Sequence, residues 1–152
     1  MKLLVVILLP FILLTSCSMY KEVEVVEVHN VRMSELDQRG LGAEVDLKLQ
    51  NPNRYKIKVT ESDLKVWING REAGKVRLLE PITVLSNSTS NYTLKVHAPY
   101  EELAPGFLAS LLSLLFTDEI VFKAEGHVKG KALGVIRKVD VSVNTTVPLG
   151  ER

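Results

Sequence analysis

From residue 20 to residue 147 the chain alternates apolar and polar side chains so persistently that antiparallel β-structure is its natural solution. Val45, Leu47 and Leu49 interleave with Asp46 and Lys48, Tyr92, Leu94 and Val96 with Thr93 and Lys95, and Val139, Val141 and Val143 share one face of a later run. Successive side chains of a strand point to opposite faces, so each run presents one side to a core and the other to water. The pattern predicts strands over 20–28, 45–49, 64–68, 75–79, 82–85, 91–97, 119–129 and 135–147. By the same parity Trp67 shares the solvent side with Lys65, opposite Leu64, Val66 and Ile68. Asn69-Gly70, with Gly74 close by, reads as a hairpin connection of moderate length.

Only residues 99–116 break the period. Phe107, Leu108, Leu111, Leu112, Leu114 and Leu115 recur at helical spacing, which predicts one helix broken or started near Pro105-Gly106. Ser110 and Ser113 are the only polar residues inside 107–116. Such a helix either plugs an open end or side of the β-structure, or leaves Phe107, Leu108, Leu111, Leu112 and Leu115 as an interaction surface for an acyl chain, a bilayer or a partner protein. About seven antiparallel strands with turn signals every eight to twelve residues indicate an immunoglobulin- or fibronectin III-like β-sandwich with one α-helix, its two sheets packed in alignment.

The 152 residues suffice for one domain, and 19 basic against 18 acidic side chains, with no block of five of either sign, disfavour nucleic-acid binding. The single cysteine and the histidines at 29, 97 and 127 supply neither a disulfide framework nor the spacing of a structural metal site. No Gly-x-Ser-x-Gly elbow occurs, and GHVKGK at 126–131 is one residue short between its glycines for a phosphate loop and has Ala132 where Ser or Thr is required. The aspartates at 37, 46, 63, 118 and 140 lack calcium-loop spacing. The expectation is a protein that is not an enzyme and uses no cofactor or metal. Asn87, Asn91 and Asn144 stand in glycosylation sequons.

The amino terminus has a different character. Met1-Lys2 precedes twelve apolar residues, LLVVILLPFILL, then Thr15, Ser16 and Cys17. Twelve helical residues rise only about 18 Å, short of the roughly 30 Å hydrocarbon core, and Pro10 interrupts them, so the segment reads as a signal peptide and not a permanent span. Leu14-Thr15-Ser16-Cys17 resembles the lipobox of bacterial lipoprotein precursors at all four positions. That resemblance implies cleavage of residues 1–16, a diacylglyceryl thioether on Cys17 and frequent acylation of its freed amine, for example by palmitate. Two or three acyl chains anchor firmly where one holds weakly. The implied organisation is a signal peptide over 1–16, a lipidated cysteine and tether over 17–22, and a β-domain over 23–152. Its partner would be the membrane of the cell envelope, with an envelope protein or lipid as a further candidate. In the sorting rule of such lipoproteins an aspartate after the cysteine favours the inner membrane, so the resemblance implies that Ser18 leans toward the outer one. Lys21, Glu22 and Glu24 fit either a surface-export tag or the polar face of a strand.

Asn51-Pro52-Asn53 lies between two alternating runs, in VDLKLQNPNRYKIKV at 45–59. The placement resembles the water-stress and hypersensitive-response domain of group 2 late embryogenesis abundant proteins and their bacterial relatives. The likeness extends from Tyr20–Leu36, through Leu64–Gly74, Ser90–His97 and Tyr100–Phe116, to Glu119–Leu149. It implies a non-enzymatic protein associated with desiccation and other stress; joined to the lipid anchor, the expectation is a domain that binds or shields envelope components under water or osmotic stress. For the tripeptide itself the chemistry favours a structural turn: Pro52 fixes its own φ and drives Asn51 extended, while asparagine side chains bond to backbone two residues on.

Overall fold

The computed structural model describes residues 20–114 and 116–148. The apolar leader, the lipobox Leu14, Thr15, Ser16 and Cys17, and Leu115 lie outside the described residues. In chain order the elements are β1 (Glu24–Leu36), β2 (Gly40–Asn51), β3 (Ile57–Ile68), β4 (Arg71–Leu78), β5 (Ile82–Val84), β6 (Ser88–Pro99), α1 (Phe107–Leu114), β7 (Glu119–Ala132) and β8 (Val135–Pro148). A short 3-10 turn at Tyr100–Glu102 precedes α1.

Among the described residues the fold is mainly β with one α-helix, but it is a single curled antiparallel sheet and not the expected two-layer sandwich. Its strand order is β1-β2-β6-β4-β3-β7-β8, with β5 paired to β3. The reason lies in β4. Its residues from Arg71 to Val76 pair with β3, Leu64 opposite Val76, and its last two pair with β6, Arg77 opposite His97. One strand thus belongs to both halves, and a register shift at Val66/Trp67 adds the local bend that curls the sheet into a half-barrel. Gly74, at φ 137°, sits inside β4 and not in the turn, where a Cβ would overlap the Glu102 carbonyl oxygen. The hairpin is accordingly tight: Asn69-Gly70 alone links Ile68 to Arg71, with both φ angles positive, as a type I′ turn requires.

The period of two fills the concave side. Val45, Leu47 and Leu49 of β2 join Val28, Val84, Val96, Ile120 and Val147 in the main core. Each fully buried aliphatic side chain of this kind contributes about 1.5–3 kcal/mol. On the convex side, Arg32 bridges Asp46 at 2.6 Å and Glu44 at 2.9 Å. Trp67 also lies there, with the Lys65 and Lys123 amines 5.5 and 4.9 Å from its ring centre.

The helix closes one pole of the half-barrel. Gly106 at φ 78° cannot continue a right-handed helix, so α1 starts at Phe107 instead of running through from residue 99. Phe107 is buried with Val66, Ala73 and Ala124, and Leu111 packs beside them. The opposite pole carries residue 20, the β2–β3 turn and the β7–β8 hairpin tip, about ten strand residues or roughly 33 Å away along β3.

Candidate functional site

Asn51 continues the inward series Val45, Leu47, Leu49, so the alternation that builds the core also buries a carboxamide at 0% exposure. A buried amide needs partners, and Asn51 has them. Its Nδ2 donates to the carbonyls of Tyr55 at 3.0 Å and Leu85 at 2.9 Å, and its Oδ1 accepts from the Asn53 backbone N–H at 3.0 Å and from Asn53 Nδ2 at 2.9 Å. Asn53, also buried, then clasps the incoming chain. Its Oδ1 accepts from Lys21 N–H at 2.8 Å, and its Nδ2 donates to the Lys21 carbonyl at 2.6 Å. The Asn53 carbonyl accepts from Asn87 N–H at 2.8 Å. Three chain segments therefore meet on two asparagine side chains.

Beside this hub the half-barrel stays open. The edge strands β1 and β8 lie against each other, yet no ladder joins them among the described residues. A groove of about 440 Å³ runs between Val23–Val25 and Val139–Ser142, floored by Ile57, Val59 and Val128. It meets a second hollow of about 270 Å³ between Tyr20, Tyr55, Leu133, Val135 and Arg137. The lining is mostly aliphatic and aromatic, suited to an apolar segment and without a paired nucleophile and base. Burial raises the Tyr20 phenol above its ordinary pKa, Glu22 and Tyr55 add to the rise, and the Arg137 guanidinium, 5.6 Å from the ring centre, opposes it.

The helix residues divide into two stripes. Phe107, Leu111 and Leu114 face the cores, whereas Leu108, Leu112 and Phe116 recur every four residues and are 44%, 66% and 89% exposed. Leu108 and Leu112 are thus brought together on the open side, and Phe107 and Leu111 on the closed one.

The histidines stay apart. His29 lies 3.4 Å from Glu27 and from Asn91 Oδ1, and His127 is 3.8 Å from Asp140. Among the described residues no three His, Cys, Asp or Glu side chains gather into a metal-sized group, and no helix is long and apolar enough to cross a membrane. Sequence reasoning missed Tyr55 and Arg137 and gave Lys21 a different role; the Lys21 and Arg137 contacts reach partners 32 or more residues away in sequence. The one local signal was Leu133-Gly134, which spaces two alternating runs just as Asn69-Gly70 does.

A family model described as late embryogenesis abundant protein matches residues 46–147, from within β2 to the end of β8, and leaves out β1. No curated protein matches the chain in sequence. A solution structure from Arabidopsis thaliana is 14% identical, covers 86% of this chain and 87% of its own length, and superposes with a TM-score of 0.52, which shows a shared fold. A crystal structure from Archaeoglobus fulgidus, 10% identical with 87% and 98% covered, gives 0.47. A solution structure of a proposed late embryogenesis abundant protein, 16% identical with 84% and 70% covered, gives 0.41.

Proposed function

Because the chain belongs to the late embryogenesis abundant protein family, we propose that it is a non-catalytic, stress-related domain held at the cell envelope by a lipid on Cys17. The domain binds or shields envelope components during desiccation or osmotic stress. The observation that supports the anchored reading is the grip of Asn53 on Lys21, only four residues after Cys17. A load on the anchor enters the fold through that clasp, and Asn51 spreads it to the backbone just after β5 and to the β2–β3 turn. Fully extended, four residues reach about 14 Å, so the domain sits against the bilayer surface, with the outer membrane favoured by Ser18.

The test compares bacteria expressing the wild type, Cys17→Ala, or no protein through drying and rehydration, with leakage of envelope contents as the readout. The wild type is expected to limit leakage and Cys17→Ala to fall near the empty strain. Equal leakage with and without the wild type overturns the stress reading, and equal protection by Cys17→Ala overturns the anchored one.

The exposed stripe of Leu108, Leu112 and Phe116 supports a second reading, in which the domain is an interaction module recruited to an envelope assembly by α1. Leu108→Asp and Leu112→Asp would then lose a detergent-stable partner that the wild type retains, without loss of fold.

A further inference from the structure

We propose that the β7–β8 hairpin tip is a docking surface for an anionic phospholipid bilayer, inserting Leu133, Val135 and Ile136 between the headgroups while a collar of basic side chains meets their phosphates. The proposal rests on the anchored reading for the bilayer being at this pole.

The first observation is a turn that uses the wrong residue for its own geometry. Among the described residues two-residue hairpin turns occur twice, with φ 51° and 76° at Asn69-Gly70 and 50° and 81° at Leu133-Gly134. The backbone problem is the same at both, but the first is solved by the residue pair that tolerates left-handed φ, the second by a branched aliphatic that does not. Leu133 is also 79% exposed, and Val135 and Ile136 beside it are exposed too. Apart from its place at the rim of the Tyr20–Tyr55 hollow, a leucine strained and unburied at a loop tip gains little from the fold, which points to a use outside it.

The second observation is charge. Segments 54–58 and 129–138 hold seven of the nineteen basic side chains and none of the eighteen acidic ones; Glu22, which acts on the Tyr20 phenol, and Asp140 in the groove stand behind them. Strand register sets Lys58 opposite Lys131 and Lys129 opposite Lys138, like charges directly across the ladder. Only Lys129 is neutralised, by Glu61 at 2.6 Å; Lys58, Lys131 and Lys138 have no ion pair among the described residues. A cationic collar behind an apolar tip is complementary to an anionic headgroup layer, and Tyr20 and Arg137 at the same pole are typical of that interface. The exposed helix stripe sits at the far pole, roughly 33 Å away, where the anchor would not hold a bilayer.

The full chain carrying Val135→Trp is reconstituted into vesicles containing brominated lipid, either phosphatidylglycerol with phosphatidylethanolamine or phosphatidylcholine alone. Wild-type Trp67, at the far end of β3, is the control. Flotation and the intact mass at Cys17 report the anchor; quenching of the introduced indole at the hairpin tip reports docking. Strong quenching in anionic vesicles and little in phosphatidylcholine is expected, with Trp67 unaffected. Each lysine near an anionic surface strengthens attachment roughly five-fold, so Lys131→Glu with Lys138→Glu should lower the docked fraction at least about ten-fold. Leu133→Asn should abolish quenching while leaving the melting temperature equal or higher, which separates docking from folding. Protein that floats with lipidated Cys17 but shows no quenching in either vesicle overturns the docking proposal and leaves the anchor standing. Protein that neither floats nor carries lipid overturns the anchor, and this proposal with it. Self-association in detergent abolished by Leu133→Asn would identify a second copy as the occupant and also overturn the proposal.

Discussion

Asn53 holds Lys21 as a neighbouring strand would, accepting its N–H at 2.8 Å and donating to its carbonyl at 2.6 Å. A side chain thus extends the sheet where no backbone partner reaches. Asn53→Ala removes both bonds and one partner of Asn51, and is expected to lower stability by about 1–3 kcal/mol. Faster amide exchange at Lys21 than at Val28 would locate the loss.

Asn51 should be less forgiving. Asn51→Ala orphans the Tyr55 and Leu85 carbonyls in a site with 0% exposure, and Asn51→Asp turns a donor into a charge facing them. Losses of about 3 kcal/mol or more follow for both, with Asn51→Asp the worse at neutral pH, as chemical denaturation would measure.

The alternation in the sequence located part of each strand and which of its faces is buried, because that period is a local property; it placed 20–23 in the first strand, which begins only at Glu24, and missed 29–36, 40–44 and 57–63. Val45, Leu47, Leu49, Tyr92, Leu94 and Val96 all turn inward as their parity predicts. Which strands pair is not local. Nothing in residues 71–78 alone says that β4 divides its edge between β3 and β6, and on that division rests the difference between two layers and one curled sheet. The basic collar was hidden likewise: its two halves stand some seventy residues apart in a chain of nearly balanced charge, and only the β3–β7 register brings them together. The helix was half legible, since spacing gave an apolar helix but not which of its leucines the barrel covers.

The joint in β4 gives a third prediction. Gly74→Ala combines a left-handed φ with an overlap on Glu102, so it must move the 3-10 turn that leads into α1. A loss of about 2–4 kcal/mol is expected, with selective exposure of Phe107 by exchange, whereas Gly70→Ala, with open space around its Cβ, should lose only about 1 kcal/mol.

The two stripes of α1 separate in the same assay. Phe107→Ala should lose about 3–5 kcal/mol, and Leu112→Ser about 0.5 kcal/mol or less, because one leaves a cavity and the other exchanges solvent contacts.

Tyr20 sets an alkaline limit. Its folded pKa is raised, first by burial, so the folded chain keeps the proton longer than the unfolded one. The stability it contributes is complete below the ordinary value of 10.0 and is lost as pH rises through the higher folded value. Tyrosinate absorbance should therefore show one tyrosine ionising late, and Arg137→Ala, which removes the opposing charge, should delay it further.

The anchor is tested most directly by the intact mass of the protein extracted from membranes of an expressing bacterium. A lipid-anchored protein begins at Cys17 with a diacylglyceryl group on its sulfur, absent from Cys17→Ala. A chain beginning at Met1 with a free Cys17 thiol would contradict it.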